Sequence, residues 1–183
     1  MATTLAPPLP ARLVLTPKSP LAGLLDGAWW PRSRDLAAEL PPLVDALEER
    51  YGRITRVLVN PTRWPAVPHK VPVPGHTVHV GWFTEQDPDK TILLSYTTGR
   101  CDLLVVPPGT EPATAARLMT AASVPGGTRA AAALMSDEAA TGRRMRDARS
   151  GEDLWEADGG AVLPPLRHPV TGARMILQRK PWR

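Results

Sequence analysis

A single cysteine, Cys101, excludes an intramolecular disulfide framework and a zinc site built on cysteines. No apolar run approaches the roughly 18 residues of a membrane-spanning helix. No phosphate loop, no GxGxxG after a strand and no GxSxG elbow occurs, which excludes the common nucleotide-binding and hydrolase signatures. No internal period suggests a solenoid. The first residues, Met1-Ala2-Thr3-Thr4-Leu5-Ala6-Pro7-Pro8, carry neither the basic region nor the apolar segment of a secretory signal. The expectation is a soluble, cytoplasmic protein with no cofactor and no metal. Aromatic residues are scarce, with one phenylalanine and two tyrosines, yet there are six tryptophans.

Hydrophobic residues make up 43% of the 183 and charged residues 22%, the usage of an ordinary globular chain with apolar surface to bury. Proline and glycine together make about a fifth of the chain, loop-rich but below low-complexity levels. The net charge of +4 invites a nucleic-acid reading. The charges are dispersed, however. Residues 1–136 hold 13 basic and 11 acidic side chains, and residues 137–183 hold 9 and 7. Only Lys18, Lys70, Lys90 and Lys180 are lysines. Abundant Arg, Ala and Pro with little Lys matches the codon bias of a GC-rich genome, a simpler cause than polyanion binding.

Residues 1–11 are proline-rich and predict a flexible N-terminus. Arg12 to Thr16 reads as a short strand and 17–31 as a loop. Leu36, Leu40, Leu43, Val44 and Leu47 recur at helical spacing, with Ser33 or Asp35 as cap. Pro41 and Pro42 predict a bend, with a regular helix from there to Tyr51 and Gly52 closing it. Ile54 to Asn60 is apolar on both alternating faces, as an interior strand is. Segments 69–73 and 77–82 flank Pro74-Gly75 as a hairpin. Pro72 assigns its strand to an edge. Thr91–Tyr96 and Cys101–Val106 are two further strands, followed by a helix from Glu111 to Ser123 capped by Thr110 and a short helix from Arg129 to Met135. The short connections predict an antiparallel meander. The expected fold is α+β: a mainly antiparallel sheet of five to six strands with two main helices on one face. Residues 12–136 form the single domain and 137–183 a flexible or loosely docked appendage.

His69, His76 and His79 invite a metal test. A two-residue turn at Pro74-Gly75 sends His69 and His79 to opposite faces, whereas a three-residue turn puts them on one face. No acid or cysteine in the hairpin completes a ligand set. Cys101 alternates with Leu103 and Val105, which points it into the core, away from nucleophilic work. Asp102 as a general base has no group nearby in sequence to raise its pKa. Arg143, Arg144, Arg146 and Arg149 are flanked by Asp137, Glu138, Asp147, Glu152 and Asp153, as in a solvated linker.

The segment Asp26-Gly27-Ala28-Trp29-Trp30-Pro31-Arg32-Ser33-Arg34-Asp35 is the strongest feature. Adjacent residues of an extended segment point in opposite directions. One tryptophan can then enter the core while the other stays near the surface beside Arg32 and Arg34. Tryptophan with arginine dominates interface hot spots and forms cation–π pairs. The alternative is that both indoles plug the core edge while the arginines pair with Asp26, Asp35 or Glu39. Trp64, also in a proline-flanked loop, joins the candidate patch.

Leu25 to Leu36 of this stretch, with Glu39-Leu40-Pro41 and Leu104-Val105-Val106-Pro107-Pro108, resembles an uncharacterised actinobacterial family, the domain of unknown function 5994. The resemblance covers roughly Ala11 to Ser136. It implies an actinobacterial, cytoplasmic origin and transfers no activity, cofactor or catalytic residue.

Three functional classes follow. The first is a non-enzymatic interaction or regulatory domain that binds a protein partner through Trp29, Trp30, Arg32, Arg34 and Trp64. The second is a small-molecule-binding protein or enzyme with a pocket between helix and sheet. The third is a nucleic-acid-binding protein.

Overall fold

The computed structural model describes residues 8–157. Residues up to Arg144 form one compact unit and those from Met145 a second. The strands are β1 (Leu13–Leu15), β2 (Gly27–Trp29), β3 (Ile54–Val59), β4 (Lys70–Val73), β5 (His76–Trp82), β6 (Lys90–Ser95) and β7 (Gly99–Val105). The helices are α1 (Leu36–Tyr51), α2 (Pro112–Ala122) and α3 (Ala131–Ala157), with a 3-10 turn at Pro61–Arg63.

The architecture is α+β, with one sheet ordered β1-β2-β7-β6-β3-β5-β4. It differs from the expected meander in strand number, strand direction and helix placement. There are seven strands, because Gly27–Trp29 is extended and pairs with β1 on one side and β7 on the other. A three-residue strand that begins with glycine carries almost no local signal. The sheet is mixed: β2 runs parallel to β7, and β3 parallel to β5. β3 is inserted between β5 and β6. It is buried on one face only, by Val57 and Val59, whereas Arg56 on the other face is exposed and Leu58 half-buried, so the strand apolar on both faces expected from the sequence is not what forms. β4, with Pro72, does lie at an edge.

The helices cover opposite faces of the sheet, not one. Leu36, Leu40, Leu43, Val44 and Leu47 of α1 pack with Trp29, Val57, Val59, Val78, Leu93, Cys101 and Leu103. Ala115, Leu118 and Met119 of α2, with Ala131 and Leu134 of α3, pack with Ala28, Leu104 and Val106. Trp29 and Ala28, or Leu103 and Leu104, are consecutive strand residues and so belong to different cores. β2 and β7 are apolar on both sides for this reason.

α1 is one continuous helix rather than two pieces. Asp35 caps it, accepting from the Ala37 and Ala38 amides at 3.0 and 3.3 Å. The carbonyls that Pro41 and Pro42 leave without donors belong to Ala37 and Ala38, at exposed positions. The Gly52 amide closes the helix on the Glu48 carbonyl at 2.9 Å, with φ 71°. Glu111, one residue later than expected, caps α2 through the Ala113 and Thr114 amides. α3 is much longer than the short helix expected. Residues 137–157 of the anticipated appendage are helical, whereas 1–7 and 158–183 lie outside the described residues. At the hairpin Val73 pairs with His76 and Lys70 with His79, the two-residue register.

Candidate functional site

The Trp/Arg segment is held by the β1–β2–β7 corner. Trp29 is 1% exposed, and its indole stacks on that of Trp64, 4% exposed, with centroids 5.5 Å apart and planes inclined by 20°. Both indoles are therefore core residues. Trp30, next in the chain, points the other way and is half-buried. Its Nε1 donates to the Pro107 carbonyl at 3.1 Å. The Arg12 guanidinium lies over its ring, 3.6 Å from the centroid. Arg12 also donates from Nε to the Trp30 carbonyl at 2.9 Å and from Nη2 to the Pro31 carbonyl at 2.7 Å. Burial, then the charge of Arg32, lowers the Arg12 pKa from the usual arginine value, and Glu39 opposes the shift.

Arg32 is exposed and donates from Nη1 to the Pro10 carbonyl at 2.7 Å. Glu39 accepts from the Arg32 backbone amide at 3.1 Å and from the Ser33 hydroxyl at 2.9 Å. Its carboxylate thus secures the loop backbone. Arg34 is exposed beside a dimple walled by Pro31, Arg63, Trp64, Pro107 and Pro108. The dimple has about 10 Å³ of free space, room for one water. Arg63 is ion-paired with Asp89. Among the described residues neither Arg32 nor Arg34 forms an ion pair.

The structure thus divides the five sequence candidates. Trp29 and Trp64 lie inside, while one side of Trp30, with Arg32 and Arg34, faces solvent. Arg12, the first residue of the strand expected over 12–16, supplies the cation on Trp30. Its signal is topological, since β1 pairs antiparallel with β2.

A model for a family of unknown function, DUF5994, matches residues 12–122. The chain belongs to the DUF5994 family. No curated protein and no solved structure matches it. The matched DUF5994 segment runs from the residue before β1 to the last residue of α2, and so contains the whole sheet and its α1 cover.

The other candidates in this DUF5994 chain have structural surroundings. His69 and His79 diverge to opposite faces, and His76 Nε2 lies 2.6 Å from the Ile54 carbonyl oxygen. Among the described residues no three His, Cys, Asp or Glu side chains converge as a metal set. Cys101 is 1% exposed, and burial pushes its thiol up to about 12. The thiolate a nucleophile needs is therefore suppressed. Asp102 accepts from Arg100 Nε at 2.7 Å, with Lys90 Nζ 3.9 Å away. Arg143, Arg144, Arg146 and Arg149 are exposed on α3.

Proposed function

We propose that this DUF5994 chain is a non-enzymatic interaction domain, regulatory in role, that captures a protein partner at the rim formed by Trp30, Arg32 and Arg34. One observation carries this reading. Arg32 and Arg34 stand without carboxylate partners among the described residues, on a wall already rigidified by the Arg12–Trp30 stack, Pro31 and Pro107. A surface ordered before binding loses less freedom on association. Unpaired guanidiniums beside an indole favour a partner segment that presents carboxylates. We further propose an actinobacterial, cytoplasmic setting, the first part of which the arginine-rich, lysine-poor composition of a GC-rich genome supports.

The test is affinity purification from the native host with wild type and with Arg32→Glu/Arg34→Glu. Loss of a specific partner while the melting temperature is kept supports the reading. An unchanged set of captured proteins removes it.

A second reading is favoured by a cleft of about 400 Å³ lined by Thr16, Lys18, Asp26, Arg50, Tyr51 and Thr98. Its mixture of cations, a carboxylate and hydroxyls suits a small polar ligand. Thermal-shift measurement against zwitterionic metabolites tests it, and no shift with any of them counts against it.

A further inference from the structure

Positive charges that are dispersed along the chain meet on one face of the sheet. Across β4, β5 and β3, Lys70 stands opposite His79 and His79 opposite Arg56. All three are exposed, on the face away from α1, because Val57, Val71, Val78 and Val80 alternate with them into the core. With strands about 4.8 Å apart, the row spans about 10 Å at the backbone. A register shift at Thr55 leaves that residue lining an open groove of about 610 Å³ with Arg53, His76, Thr77, His79 and Tyr96. Arg53 donates to the Gly75 carbonyl at 3.2 Å, which fixes it at the groove's rim.

Lys70 and Arg56 flank His79, and among the described residues Lys70, Arg53 and Arg56 form no ion pair. The cations of the row are thus left available to an anionic ligand. Beside it Tyr96 is 85% exposed, an unusual placement for a large ring.

We infer that this sheet face binds single-stranded nucleic acid, with phosphates along Lys70, His79, Arg56 and Arg53 and a base stacked on Tyr96. The chemistry is that of a cationic track with an aromatic platform, the general basis of single-strand binding. A small phosphate ester would not require a track across three strands or an exposed ring next to it. A duplex read through its bases would require an element that projects into its groove, and these cations stand on the strands β3, β4 and β5 themselves. The surface shares no residue with the Trp30 rim, so the inference stands apart from the partner reading.

Fluorescence anisotropy of the full chain with labelled oligo-dT and oligo-U of about 16 nucleotides, at about 50 mM salt, tests the inference. Wild type is expected to bind, with log K falling linearly in log salt. Lys70→Ala/Arg56→Ala should weaken binding about tenfold or more and reduce the salt slope by about 1.4, the share of two phosphate contacts. Tyr96→Ala should weaken it about fivefold or more with the slope unchanged, as loss of stacking does. The inference is overturned by any one of three results: no anisotropy change for wild type, wild-type affinity in a folded Lys70→Ala/Arg56→Ala, or displacement by pyrophosphate together with indifference to Tyr96→Ala. The last result would assign the cations to a small phosphate ligand.

Discussion

Trp29 and Trp64 stack with ring centroids 5.5 Å apart, one from the end of β2 and the other from the turn after β3. Neither indole reaches solvent appreciably. Truncating a buried tryptophan leaves a cavity as well as lost apolar burial. Trp64→Ala and Trp29→Ala should each cost about 3–5 kcal/mol, read from urea unfolding midpoints. Any loss of binding in these variants then reports loss of the fold. Wild-type stability in either variant would mean that the stack is dispensable.

Arg32→Glu/Arg34→Glu should behave in the opposite way. Both side chains are exposed, and each substitution should change stability by no more than about 0.5 kcal/mol. Asp35→Ala, next in the chain, should cost about 1 kcal/mol through loss of the α1 cap. Chemical denaturation of the two variants in parallel checks that contrast.

Gly27 is where β2 is pressed against β1. Its φ is 151°, and a Cβ there would lie 2.1 Å from the Val14 carbonyl oxygen and 2.9 Å from Leu15 Cα. These are backbone atoms, which cannot swing aside. Gly27→Ala should therefore destabilise by about 3 kcal/mol or more. A melting temperature within a degree or two of wild type, where ~2–4 °C per kcal/mol is expected for a chain of this size, would falsify the close packing of these strands.

Cys101 and Tyr51 make the fold sensitive to alkali. Burial raises the thiol from its ordinary 9.0 to about 12. Burial first, then Cys101, raises the Tyr51 phenol above its ordinary value. Each folded-state pKa is raised, so the folded protein keeps protons that the unfolded chain releases. The stabilisation is complete below about pH 9 and is lost as pH climbs toward about 12. Urea midpoints measured from neutral pH upward should fall in that window, and less steeply for Cys101→Ala. Iodoacetamide should label the native thiol far more slowly than the urea-unfolded one. Equal labelling rates would contradict the burial.

Much of the fold is legible residue by residue. The α1 stripe of Leu36, Leu40, Leu43, Val44 and Leu47 is buried along its length. The Pro74-Gly75 hairpin forms in one of its two possible registers, with Gly75 at φ 82°. Cys101 alternates into the core with Leu103. The candidate site is legible in part. Opposite directions for Trp29 and Trp30 follow from an extended backbone, but the stacking of Trp29 on Trp64 and of Arg12 on Trp30 does not, since both depend on strands distant in sequence.

Short-range chemistry places the start of α1 near Asp35, the turn at Pro74-Gly75 and the inward stripe of α1, because caps, turn residues and periodicity act within a few residues. The assembled sheet decides the rest. Placing β3 between β5 and β6 brings Arg56 beside His79 and Lys70. Pairing β2 with β7 gives that corner two buried faces, and so puts α1 and α2 on opposite sides. These choices follow from which apolar surfaces must be covered at once. That is a property of all the strands together, and it is written in no single window of the chain.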